Sequence, residues 1–250
     1  MERTRYSPYL YPDCAGVMTV FLAEILSMYP YLDPPNMQPA QSNRLCNILT
    51  LMQCVASDES SREAFLNGTT TLPYSVTIAQ LPLYVYPFLN TTSKSKPFEF
   101  LRLTSLGVIG ALVKNDNSAV ISYLLTTEII PLCLRIIEIG NELSKTVAIF
   151  IIQKILIDDY GLSFICDSEA RLTTVLDHFA AVLRLPNDNG KTTRLLKHVI
   201  RCYLRITESE KGLKILRKNA PQELIQESFK ARVEEDASTL KFWNEIRGRL

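Results

Sequence analysis

Glycine is scarce in this chain, at 9 of 250 positions. That excludes the frequent glycine-marked turns of an all-β protein and leaves helix as the expected regular structure. Long apolar runs are absent too: the stretch from Val17 to Leu26 is short, is interrupted by Glu24 and has no basic flank before it. No segment reaches the roughly 18 uninterrupted apolar residues of a membrane span. Excess charge of one sign is lacking, since 27 basic residues face 26 acidic ones. The whole-chain field therefore singles out neither nucleic acid nor a membrane surface as partner. Histidine occurs twice, and no CxxC, GxSxG, P-loop, GxGxxG or HExxH occurs. The usual frames of metal sites, serine hydrolases and nucleotide-binding enzymes are therefore missing.

What remains is abundant apolar material, 47% of the chain, enough for a sizeable core. The cysteines 14, 46, 54, 133, 166 and 202 stand singly inside apolar stretches, so buried free thiols and a reducing compartment are expected. The sequons at Asn67 and Asn90 are accordingly read as chance. Ala15 to Tyr29 reads as a helix stopped by Pro30, Pro34, Pro35 and Pro39. This helix and its proline-rich connector (residues 1–41) form a cap before a repeat domain at 42–250. Ser42 is expected to cap a helix whose apolar face carries Leu45, Ile48, Leu49, Met52 and Val55. Residues 67–80 lose all periodicity and read as a loop. A helix at 81–89 follows, and Pro97 opens a long one through about Lys114.

Beyond that the chain beats regularly, with turn signals at 115–118, 140–141, 158–161 and 186–190. The phrase Asp159-Tyr160-Gly161-Leu162-Ser163-Phe164-Ile165 resembles Glu210-Lys211-Gly212-Leu213-Lys214-Ile215-Leu216 about 51 residues later. Long helices beginning near Phe98, Ser144 and Thr193 recur at about 46 to 49 residues, close to the armadillo and HEAT period. Units of this size cannot bury their apolar faces alone and must stack. The expected fold is all-α, an armadillo-type right-handed helical solenoid, with a compact helical bundle as the alternative.

Few residues offer chemistry. His198 and Cys202 share a helical face at i, i+4, but two ligands do not make a metal site. Asp158-Asp159 suits a helix-ending turn better than a pair of catalytic carboxylates. Neither a catalytic residue, nor a metal, nor a cofactor is expected. Between Arg184 and Arg232, 12 Lys or Arg stand against 5 Asp or Glu. Within this stretch Arg194, Lys197, Arg201 and Arg205 fall on one helical stripe, which fits either a solvated face or a site for phosphates or acidic peptides. On the helix after Pro97, Phe100, Thr104, Gly107 and Ala111 form a stripe of mostly small residues. Asn43, Asn47 and Thr50 line an earlier helix with groups able to bond a peptide backbone. A binding groove and ordinary close helix packing both account for these stripes.

Several phrases are specific: Gln41-Ser42-Asn43-Arg44, LMQCVAS from Leu51, Tyr86-Pro87-Phe88-Leu89, LRLTSLGVIGALVK from Leu101, LLTTEIIPLCLR from Leu124, ELSKTV from Glu142 and RLLKHVIRCYLR from Arg194. From about Val17 to the C-terminus the chain resembles the Rcd-type cell-differentiation family, the armadillo-repeat subunit of the Ccr-Not messenger-RNA deadenylase complex. The resemblance implies a non-catalytic adaptor, cytoplasmic and also nuclear, docked on the large Not-one scaffold. It implies a concave groove for short linear motifs of silencing and decay factors, including Phe100, Thr104, Gly107, Thr146 and Val147. It also implies pockets for tryptophans of silencing proteins on the opposite surface, where Arg171 and Arg194 match the family's arginines and Arg201, Arg205 and Lys211 extend the basic surface. Weak nucleic-acid binding by the basic stripe is the alternative. Glu169 replaces a tyrosine of the pocket pattern and Lys211 an arginine. Asp13, Ala15 and Thr19 diverge in the stretch that meets the scaffold.

Overall fold

The computed structural model describes residues 11–58, 80–186 and 191–250. Most of the 67–80 segment expected to be a loop lies outside the described residues. Among those residues the regular structure is helical, with no strand. They fall into two compact units, one ending at Val108 and one beginning at Ile109.

The first unit contains α1 (Tyr11–Met28), α2 (Pro39–Ser57) and α3 (Tyr86–Leu89), with a 3-10 turn at Leu81–Val85 before α3. It also holds most of α4 (Lys96–Val113). The start of α2 differs from expectation. Pro39 occupies the first turn, where a missing N–H costs nothing, and the Gln41 side chain accepts a hydrogen bond from the Gln38 backbone N–H at 2.8 Å. Ser42 is therefore not the cap. It is buried inside the helix, and its hydroxyl donates to the Pro97 carbonyl at 2.8 Å, tying α2 to the start of α4. Cys46 is only half-buried and Cys54 is exposed, correcting the expectation that all the thiols are interior. Arg102 is 1% exposed and donates to the carbonyls of Thr91 (3.2 Å) and Ser93 (2.7 Å). The polar run before α4 is thus held by a buried cation.

The second unit is built from helix triplets. The first is α5 (Ser118–Leu125), α6 (Ile129–Ile139) and α7 (Glu142–Ile157). The second is α8 (Asp159–Cys166), α9 (Glu169–Leu183) and α10 (Lys191–Ile206). In the third, α11 (Glu210–Asn219) is followed by two short helices, α12 (Gln222–Ile225) and α13 (Lys230–Val233), and by α14 (Ala237–Arg249). Helices of the same rank pack together, α5 on α8, α6 on α9, and α7 on α10 on α14. Each triplet thereby covers the apolar face of the one before, as stacking requires. This all-α arrangement is compatible with the expected armadillo type. Within the second triplet Phe179 meets Tyr203 edge-to-face at 5.9 Å, and within the third the fully buried Trp243 lies beside Phe229.

The repeated glycine phrase has a physical cause. In α8 the Asp158 carboxylate accepts from the Gly161 N–H (3.0 Å), and in α11 the Ser209 hydroxyl accepts from the Gly212 N–H (3.3 Å). Each glycine lies beneath the carbonyl of an isoleucine six residues earlier. A Cβ at Gly161 would stand 2.0 Å from the Ile155 carbonyl oxygen, and one at Gly212 would stand 2.5 Å from that of Ile206. The third helix of one triplet can turn into the first helix of the next only because these positions carry no side chain. Gly161→Ala should therefore destabilise the protein by about 1 to 3 kcal/mol through forced backbone displacement. Gly248→Ala, where a Cβ meets nothing within 4 Å, should cost nothing. Urea denaturation of both variants checks the contrast.

Candidate functional site

Two faces carry the residues singled out from the sequence. In the first unit, Asn43 and Asn47 are exposed on α2, Phe100 is 55% exposed on α4, and Thr104 and Gly107 are half-exposed. The gap left by Gly107 is filled from within. The Gln53 amide donates to the Thr104 carbonyl at 3.0 Å, and its nitrogen would lie 2.5 Å from a Cβ at residue 107. Gly107 is small because Gln53 crosses it, a contact that helical periodicity alone does not reveal.

In the second unit the relevant helix is α7. Val147 is half-exposed, and its methyl group lies 3.8 Å from where a Cβ on Gly110 would be. The missing side chain of Gly110 leaves that methyl group uncovered. Thr146, expected beside it at the groove, is instead buried at 8% exposure and donates its hydroxyl to the Glu142 carbonyl at 2.9 Å. The exposed partners of Val147 are Leu143, 51% exposed, and the half-exposed Phe150. Spaced by four and three residues, the three make one apolar stripe.

The basic stripe of α10 is largely consumed by the fold. Lys197 pairs with Asp236 at 2.7 Å, and the Arg201 guanidinium lies 5.6 Å from the Phe242 ring centre. Arg205 donates to the last carbonyls of α7, Leu156 and Ile157, both at 3.0 Å, and pairs with Asp159 and Glu208. It is a cap for the preceding triplet's helix end, where backbone carbonyls lack partners. Arg194 is exposed. On the same face His198 hydrogen-bonds Gln153 through Nδ1 at 2.5 Å and meets the Phe150 ring edge-on at 5.9 Å. Burial, then the charges of Arg201, Arg194 and Lys197, lower its pKa to about 4. Cys202 faces the core, and burial pushes its thiol well up. The pair is thus a neutral imidazole bonded to Gln153 and a buried thiol.

The remaining candidates line two hollows. Arg171 stacks over the Phe164 ring at 3.8 Å, also donates to the Phe164 carbonyl, and closes an apolar cleft of about 320 Å³ with Leu125, Ile130, Pro131 and Leu134. Apolar walls and a stacked guanidinium suit an aromatic guest. A second hollow of about 370 Å³ is polar, bounded by Ser163, Asp167, Ser209 and Lys211. There Lys211 pairs with Asp167 at 2.6 Å, which lowers the Asp167 pKa and raises that of Lys211. Arg205 reaches this rim through Asp159, whereas Arg194 and Arg201 act on His198. The five basic residues therefore do not make one surface. Glu169 is exposed in the first turn of α9. Asp158 caps α8 and accepts from the Ser118 hydroxyl at 2.7 Å, which is the turn role expected of it.

Because the folded state holds His198 neutral, its stability should fall as pH drops from about 6.5, where the unfolded chain takes up the proton, and level off near 4. His198→Asn should remove this component. Thermal melts of both proteins across that range measure it, and identical profiles would exclude His198 as the group.

Comparison with known proteins adds what geometry does not. The family model "Cell differentiation family, Rcd1-like" matches residues 3–250. The chain is 52% identical over 229 residues to the cell differentiation protein rcd1 of Schizosaccharomyces pombe, covering 90% of this chain and 76% of that one. It is 48% identical over 227 residues to protein CAF40 of Saccharomyces cerevisiae, covering 90% of this chain and 57% of the relative.

Proposed function

Since the chain belongs to the Rcd1-like cell differentiation family, we propose that it is a non-catalytic adaptor subunit of the Ccr-Not deadenylase complex. In this role it docks on the Not-one scaffold and holds short motifs of messenger-RNA silencing and decay factors, in the cytoplasm and also in the nucleus. The observation that carries the motif-binding part is the uncovered apolar stripe of Leu143, Val147 and Phe150 on α7. Apolar side chains aligned on one helical face and left in water gain free energy when a partner covers them. The arginine-walled cleft at Phe164 supports capture of an aromatic side chain such as tryptophan. The polar hollow at Lys211 gives such a guest no comparable stacking wall.

The groups that catalysis would need already have structural duties. Asp158 caps a helix, Asp159 pairs with Arg205, His198 is neutral and bonded to Gln153, and the Cys133, Cys166 and Cys202 thiols are buried. Direct RNA binding has less support, because two cations of the stripe, Lys197 and Arg205, are engaged inside the protein. A phosphate-binding track needs cations free to displace counterions.

Val147→Glu should abolish motif binding and leave the fold intact. A carboxylate on the open face should change stability by no more than about 0.5 kcal/mol. An apolar ligand would have to desolvate it, costing at least about 1 to 3 kcal/mol and about tenfold in affinity. Leu143→Asp, at a more exposed position, is the companion variant. Affinity purification from cell extract followed by mass spectrometry should recover deadenylase subunits with wild type and lose silencing factors with both variants. Recovery of the same proteins by all three would reject α7 as the motif site. A melting point lowered by more than about 10 °C in both variants would show that the stripe is core.

A further inference from the structure

Building on the proposed motif groove, we infer that its ligand is acidic as well as apolar: residues that cover Leu143, Val147 and Phe150 are flanked by carboxylates that sit against Arg194 and Arg201. The two features are physically one surface. α7 and α10 pack side by side, and the Phe150 ring that ends the apolar stripe touches the His198 ring at 5.9 Å. Arg194 and Arg201 flank His198 on the same face of α10, four residues before and three after. A ligand lying over Val147 and Phe150 therefore has this basic row alongside.

Among the described residues the charges around that row do not cancel. Lys197 has its carboxylate in Asp236 at 2.7 Å, and Lys154 has one in Asp116 at 2.6 Å. Arg205 holds Asp159 and Glu208 at the far end of the helix. Glu235, next to Asp236, accepts from the Thr193 hydroxyl at 3.4 Å and, among the described residues, forms no ion pair with Arg194 or Arg201. Arg201 lies over the Phe242 ring, which orients the guanidinium without neutralising it, and among the described residues no carboxylate pairs with it. Arg194 is exposed. The depressed pKa of His198 registers the same unbalanced field, since Arg201 and Arg194 are its leading electrostatic causes after burial. A partner's carboxylate is the group that would balance it, and Arg recognises carboxylates through its planar fork of N–H donors. The adjoining Leu143–Phe150 stripe favours a peptide over RNA, because the polar ribose and flat bases of RNA offer little to cover the aliphatic Leu143 and Val147, whereas an apolar side chain does.

The test uses a random 12-residue peptide phage library panned on wild type, on Arg194→Gln/Arg201→Gln and on Val147→Glu. Wild type should enrich sequences combining Leu, Ile or Phe with Asp or Glu. The double arginine variant should keep the apolar enrichment and lose the acidic one. Val147→Glu should lose both. A synthetic copy of the enriched peptide should bind the double variant about three- to tenfold more weakly than wild type at low salt, the scale of two exposed ion pairs. That gap should close as salt is raised. Apolar sequences without acidic enrichment on wild type would overturn the inference and leave the groove standing. Identical sequences from wild type and Val147→Glu, or none above background, would reject the groove itself. An oligoadenylate bound more tightly than the peptide by wild type and released by the double variant would make the row a phosphate track and overturn the inference.

Discussion

The close approach of each third helix to the next first helix is the constraint on which the second unit depends. At Gly161 and Gly212 the backbone passes so near the carbonyl of Ile155 or Ile206 that no side chain fits. That approach sets the angle between successive helices, and with it which faces of α7 and α10 meet. The contacts of the α7 stripe with the basic row follow from that meeting. The His198–Gln153 bond, the His198–Phe150 contact and the Arg205 cap on α7 all cross the same α7–α10 seam.

Arginine does in this fold what backbone donors do elsewhere. Arg205 closes the end of α7, Arg232 donates to the Leu183 and Leu185 carbonyls beyond α9, Arg217 donates to the Arg249 carbonyl, and Arg102 fixes the turn before α4. Helix C-termini present carbonyls without partners and a partial negative charge, so a guanidinium from the next element meets both needs. Part of the dense basic stretch between Arg184 and Arg232 is therefore internal architecture.

That economy leaves two surfaces of distinct chemistry. One is the α7 stripe with the basic row beside it. The other is the cleft where Arg171 stacks on Phe164. The first offers aliphatic contact and unbalanced positive charge, the second a flat cation over an apolar floor. In the proposed adaptor role, such separation lets two short segments of different composition be held at once without competing.

Helix positions, the triplet beat and the family were legible in the sequence, because amphipathic periodicity and glycine punctuation are local properties of the chain. Pro97 opening α4 and the 51-residue recurrence of Gly161 at Gly212 needed no tertiary information. Val147 was likewise named from sequence, through the family phrase around it. Sequence could not decide which neighbour a side chain would find. Ser42 looked like a cap and became a buried tie to Pro97, and Thr146 looked exposed and is buried. The basic stripe looked free and is mostly engaged, and the space over Gly107 belongs to Gln53. Each of these depends on a partner 39 to 55 residues away or on the approach of another helix. Helical periodicity fixes which face a residue occupies, but only packing determines what that face meets.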